Sequence, residues 1–271
     1  MVISVSRRCD IPRFQFPWFM ERLKEGFCEV TNPFNRRQIR RVSLIPEDSL
    51  VFVFWTRDPR NILANADELI RRGFRFYVMI TITAFPILLE PSMTCTTKVL
   101  HAVKQLAEKI GSDKVIWRYD PVLLTNITDE DFHRRNFAFI TRELAGSVRR
   151  VIIGIYDEYK GAKKRLEAMQ EYADLQMLET GGILPGLLKG FAESASAADM
   201  EIQSCARKED FLPYGIKPGA CIDAELINKL WGIELGGKDK NQRPHCLCCK
   251  SVDIGSYRIC GAHCVYCYAW H

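Results

Sequence analysis

The chain has 271 residues, 47% of them hydrophobic, and a net charge of +5 from 38 Lys and Arg against 33 Asp and Glu. That composition excludes a disordered or collagen-like polymer and leaves room for one large α/β domain or two modest ones. The mild positive balance is compatible with an anionic or nucleic-acid partner but is ordinary solubility charge. No apolar run approaches the ~20 residues that cross a bilayer. Residues 1–8 carry no basic region ahead of a long apolar stretch, so neither a membrane span nor a signal peptide is expected. Eleven cysteines in a chain of this size read as thiols of a reducing cytoplasm, free for metal, rather than as a secreted disulfide scaffold.

In chain order, residues 2–5 form an apolar strand that runs into Ser6-Arg7-Arg8, and a helix is expected over 17–25. A second strand, 50–55, ends in Thr56-Arg57-Asp58. Pro59 then opens a helix to residue 72, stopped by Gly73. Strand 74–82 with Thr81 and Thr83 precedes a helix over 94–110, and strand 115–119 carries Arg118 and Asp120 ahead of a helix over 129–144. Strand 151–155 ends in Asp157-Glu158 and is followed by helices over 160–173 and 187–198, then strand 200–203 with Ser204-Cys205. A helix over 223–231 and a loop over 236–244 lead to the last cysteines.

Most of these strands are short and almost continuously apolar, as in a parallel sheet covered on both faces. Six β–α units in series fit both a doubly wound sheet and a TIM-type barrel, full or partial. The polar cluster at each strand end favours the barrel, whose C-terminal rim gathers such residues. The expected organisation is a βα-barrel core over 1–204 and a cysteine-rich segment over 205–271 packed on the barrel mouth.

The cysteines are unevenly placed, with six of the eleven falling between Cys246 and Cys267. Cys260, Cys264 and Cys267 stand as C-x3-C-x2-C, a spacing that turns three thiolates toward one centre. A [4Fe–4S] cube normally takes four cysteines, so three leave one iron open to another ligand. Cys205, Cys221, Cys246 and Cys248 make a second, closed set, suited to a second [4Fe–4S] cluster or a structural zinc. A zinc ribbon built from Cys246, Cys248, Cys264 and Cys267 is the main competitor, although it has no use for Cys260.

The triad, with Tyr266 just before its third cysteine, resembles the signature of the radical S-adenosylmethionine enzymes. The resemblance implies that S-adenosylmethionine binds the open iron and that a reducing electron donor is needed. In that superfamily the motif follows the first barrel strand. Here it stands in the last dozen residues, so the resemblance implies a terminal segment folded back to the barrel mouth. Ser4-Val-Ser-Arg7-Arg8-Cys-Asp10-Ile-Pro12, Phe54-Trp55-Thr56-Arg57-Asp58-Pro59, Trp117-Arg118-Tyr-Asp120-Pro121 and the terminal cysteine run look like the bacterial family called domain of unknown function 1848. Arg118-Tyr-Asp120-Pro121 is also similar to a strand-end segment of spore photoproduct lyase-type radical enzymes.

Around the cluster, Arg7, Arg8, Thr56 and Tyr266 are the candidate cofactor-binding residues. Arg118, Asp120 and Glu90 are the candidates for work on a small-molecule or nucleic-acid substrate, with arginines able to hold an anionic group bidentately. Ion pairs of Arg7, Arg8 and Arg118 with Asp10 or Asp120, and a solvated Glu90, are the structural alternatives. Two other functions remain open: a zinc-stabilised nucleic-acid-binding module, and an iron–sulfur electron-transfer or redox-sensing protein without S-adenosylmethionine.

Overall fold

The computed structural model describes residues 1–270. The elements run β1 (Val2–Val5), α1 (Ile11–Phe14), α2 (Phe16–Glu25), β2 (Phe27–Asn32), β3 (Asn35–Ser43), β4 (Val51–Thr56), α3 (Arg60–Arg71) and β5 (Phe76–Thr81). They continue with α4 (Thr96–Ile110), β6 (Val115–Val122), α5 (Glu130–Leu144), β7 (Arg150–Ile155), α6 (Lys160–Ala173), α7 (Leu184–Ala197), β8 (Glu201–Cys205), β9 (Lys217–Gly219), α8 (Ala224–Trp231) and β10 (Ser251–Asp253).

Eight strands make one sheet in the order β10-β1-β4-β5-β6-β7-β8-β9, and every pair in it is parallel. The fold is therefore α/β, with crossover helices between successive strands as a parallel sheet requires. Both edges come from the cysteine-rich part of the chain: β9 pairs with β8, and β10 pairs with β1 at Val2–Ser251, Ile3–Val252 and Ser4–Asp253. The two edge strands are not paired with each other, so the sheet is not hydrogen-bonded into a ring.

The sheet is covered on both faces, which explains its unbroken apolar strands: all six residues of β4 are buried. Phe52 and Phe54 of β4 point to one side, where Phe19 of α2, Phe74 and, on β5, Phe76 meet them in edge-to-face contacts of 5.3 to 5.8 Å. Val51, Val53 and Trp55 point to the other side, and with Tyr77, Met79, Ile116 and Ile152 they pack against Ile222, Leu226, Ile227 and Cys221, Cys246 and Cys248. The closed cysteine set is thus part of the apolar layer on that face.

Local signals place the helices. Asp129 accepts from Phe132 N at 2.8 Å to start α5, Asp223 accepts from Leu226 N at 3.1 Å to start α8, and Gly26 at φ 80° ends α2. The strands expected from periodicity are all present with small changes of boundary. Three features differ. Residues 27–43 form an antiparallel hairpin, β2–β3, and the sheet gains the three-residue strands β9 and β10.

Candidate metal centre

At the C-terminal ends of the parallel strands lies a cavity of about 700 Å³. Its wall contains all seven cysteines proposed from spacing: Cys205, Cys221, Cys246 and Cys248, and Cys260, Cys264 and Cys267. Arg7, Arg8, Thr56, Arg118, Asp120 and Tyr266 line it too, so only Glu90 among the candidate site residues is outside the wall.

The closed set is gathered by the sheet edge. Cys205 ends β8, Cys221 follows β9, and their sulfurs stand 3.5 Å apart. The Cys248 sulfur accepts from Ile222 N at 3.3 Å and touches the thiols of Cys221 and Cys246. These contacts draw Cys248 well below the usual thiol range and push Cys246 above it, while Cys205, with Cys248 adding to it, raises Cys221. The contact with Cys221 also lowers Cys205, with Arg118 assisting. Cys249 is buried beside them, and burial pushes its thiol up to about 11.

The open triad sits on the loop that leaves β10. Cys264 is 6% exposed, and burial pushes its thiol up to about 12, while Cys260 is raised for the same reason. The Cys260 sulfur lies against the backbone N–H groups of Asp10 and Ala262, and Cys267 accepts from Ala269 N at 3.4 Å. Burial holds Cys260 and Cys264 as thiols, so metal binding there must displace their protons. Among the described residues, no three His, Cys, Asp or Glu side chains converge closely enough to grip a single ion. An iron–sulfur cube spaces its thiolates more widely than one ion does, and a soft, all-sulfur donor set facing a cavity fits such a group.

The triad loop is pinned from three directions. Val265 N donates to Leu89 O at 3.0 Å, and Arg165 of α6 donates to Val265 O at 2.8 Å and to Cys267 O. Tyr268 Oη donates to Arg7 O at 2.7 Å. Tyr266 donates from Oη to Glu90, its ring standing edge-on to Phe85 at 5.7 Å. Arg57 donates to Glu90 at 2.8 Å, to Thr83 Oγ1 at 3.0 Å and to Tyr266 Oη. Burial opposes the Arg57 charge, but Glu90 and Tyr266 overcome it and hold the guanidinium well above its ordinary value. Glu90, only 2% exposed, therefore lies behind the cavity wall as the counter-ion of Arg57.

Asp253 of β10 does the equivalent work at the other end of the loop. Its carboxylate accepts from Ser4 Oγ and Arg7 N at 2.8 Å, Ser6 Oγ at 2.5 Å and Gly255 N at 3.0 Å. Arg7 and Arg8 approach the same carboxylate at 3.6 and 4.0 Å. Nothing in local periodicity marks Asp253, Arg57 or Arg165 as site-building residues. The only local sign was the place of Arg57 at a strand end and of Asp253 beside the cysteine run; Arg165, inside α6, carried none.

Arg118 and Asp120 form an ion pair with each other, the guanidinium lying 4.9 Å over the Trp55 ring. Burial opposes the Arg118 charge, yet Asp120 and the nearby thiols Cys221 and Cys205 raise its pKa. Its Nε makes no hydrogen bond, nor does Trp55 Nε1, so two buried donors stand beside the cavity without an acceptor. Thr56 Oγ1 is spent on its own turn, accepting from Asp58 N at 3.0 Å. His245 and His263 are exposed, and His263 is at the cavity rim against Trp270.

The family model described as domain of unknown function (DUF1848) matches residues 2–269, and the chain belongs to that family. No curated protein matches it.

Proposed function

We propose that this family member is an iron–sulfur enzyme of the radical S-adenosylmethionine type, with a partial βα barrel whose mouth is closed by its cysteine-rich segment. The observation that carries this reading is the convergence of seven cysteines, spread from residue 205 to residue 267, on one cavity at the C-terminal ends of a parallel sheet. Cys260, Cys264 and Cys267 would hold a [4Fe–4S] cluster. Bound there with S-adenosylmethionine, it supplies one-electron cleavage of a sulfonium and hydrogen abstraction from a substrate. The chain's own residues hold and shield. Arg57, Glu90 and Tyr266 fix the triad loop, Arg7 and Arg8 offer positive charge beside it, and Arg118 with its free Nε is placed to orient an anionic substrate group, with Asp120 as its partner. A reducing donor is required, consistent with a cytoplasmic setting.

For Cys205, Cys221, Cys246 and Cys248 a structural zinc is the second reading. The 3.5 Å between Cys205 and Cys221 is close to the edge of a tetrahedral zinc–sulfur site, about 3.8 Å, and the rest of the set would have to draw in to grip the ion. A second [4Fe–4S] cluster needs wider spacing, and metal analysis distinguishes the two.

Anaerobic purification tests the proposal. A brown protein with sulfur-to-iron charge-transfer absorption, which forms 5′-deoxyadenosine when reduced with S-adenosylmethionine, is expected. A colourless protein with stoichiometric zinc would make it a zinc-stabilised module. A brown protein that binds no S-adenosylmethionine would make it an electron-transfer or redox-sensing protein.

A further inference from the structure

The hairpin β2–β3 has no part in the sheet or in the cysteine sites. Its base is fixed: Cys28 and Val42 pair across it and are buried, Leu44 N donates to Gly26 O at 2.8 Å, and the Arg41 guanidinium lies 3.5 Å over the Phe27 ring. Beyond that base the ribbon is exposed, with Asn35 to Arg41 all open to solvent. Four of those seven residues are arginines, and Glu29 is the only acidic residue in the hairpin. Among the described residues, none of Arg36, Arg37, Arg40 and Arg41 has an ion-pair partner.

Strand periodicity divides these charges. Arg36 and Arg40 share the face of Val42, and Arg37 and Arg41 share the opposite face. Positive charge on both sides of a ribbon suits a ligand with two phosphate walls, whereas a membrane surface meets only one side. The B-DNA major groove, about 12 Å wide, admits a two-stranded ribbon. The tip residues Pro33 and Phe34 lie at the rim of the 700 Å³ cavity, and Phe34 is 96% exposed. An apolar ring held in water beside a nucleotide-sized cavity is placed to stack on a base or wedge into a base step. Chemistry on a base requires that it leave the stack.

We propose that β2–β3 is a nucleic-acid-binding arm. Its arginines grip the phosphates on both sides of a groove, and Phe34 stacks at the step from which a nucleotide enters the cavity. The proposal deepens the enzyme reading by naming its substrate class, but the binding itself is measured without cluster chemistry.

The test is fluorescence anisotropy on the full-length protein with short mixed-sequence DNA and RNA duplexes, fully paired or carrying one mismatch, from about 50 to 200 mM salt. Changing Arg36, Arg37, Arg40 and Arg41 together to Gln should lower the salt slope by about 3 to 4, at roughly 0.9 for each phosphate no longer neutralised. Phe34→Ala should weaken binding to the mismatched duplex roughly 5- to 100-fold while leaving the salt slope unchanged. Both variants should keep the metal content and melting temperature of the parent. Absence of duplex binding at the lowest salt, or unchanged binding by the four-arginine variant, overturns the proposal. Binding to anionic phospholipid vesicles in preference to either duplex overturns it in favour of a membrane arm. Failure on any of these counts leaves the colour and S-adenosylmethionine chemistry of the protein to be judged separately.

Discussion

Tyr266 donates its phenolic hydrogen to the buried carboxylate of Glu90, 176 residues earlier in the chain. This bond ties the cysteine loop to the segment after β5 and holds Glu90, the counter-ion of Arg57, in place. Tyr266→Phe keeps the ring against Phe85 and removes only the hydroxyl. It should cost about 1–3 kcal/mol, and a thermal melt should fall by several degrees. An unchanged melt would show that this bond does not secure the loop.

Gly255 is the point where the loop leaving β10 passes closest to the end of β1. A Cβ there would overlap Ser6 Oγ and stand 2.8 Å from Cys9 Sγ. Ser6 also donates to Asp253, so Gly255→Ala should loosen the whole clasp and cost about 1–3 kcal/mol in urea unfolding. Gly236→Ala, which meets no atom within 4 Å, is the control and should be neutral. Equal effects of the two substitutions would contradict the close approach.

The two cysteine sets should load independently. Replacing Cys260, Cys264 and Cys267 by Ala should leave the metal of the closed set: the visible chromophore is lost altogether if that set holds zinc, and about half of it and of the iron remains if both sites hold clusters. Replacing Cys205 and Cys221 should do the reverse. Elemental analysis of both variants decides it, and complete metal loss from either would mean one shared site.

His133 provides a pH signature at a residue that lines neither the cavity nor the cysteine loop. It is fully buried, with Nδ1 and Tyr119 Oη 2.7 Å apart and Nε2 3.0 Å from Leu123 O, and burial lowers its pKa from 6.5 to about 4. Because the unfolded chain binds this proton more readily, the contribution is fully present above pH ~6.5 and is lost as pH falls toward ~4. The loss is on the order of 3 kcal/mol. Stability curves of the parent and His133→Gln should therefore converge as pH falls through that window. Parallel curves would place an ordinary histidine at this position.

Most of the sheet was readable because β1, β4, β5 and β7 are buried along almost their whole length and so carry apolar runs. β10 was not readable: Ser251-Val-Asp253 has a single apolar residue, and its strand character comes wholly from pairing with β1, about 250 residues away. β3 was hidden for the opposite reason, since a strand exposed on both faces shows arginines where alternation would be expected. The seven cysteines singled out in the sequence all line the same cavity. The role of Glu90 was not legible, because burial and its Arg57 counter-ion come from separate elements brought together only by folding.

The pairing of β10 with β1 also sets an order of events at the ribosome. The first strand to be made finds its outer neighbour only after residues 251–253 have emerged, the longest-range pairing in the sheet. Contacts of such separation form late, when the rest of the sheet already holds the two ends close. A nascent chain arrested at residue 250 carries all of Cys205, Cys221, Cys246 and Cys248 but neither the triad nor the strand that clasps the triad loop. The clasp on that loop is therefore among the last features of the fold to form, whatever the loop goes on to hold.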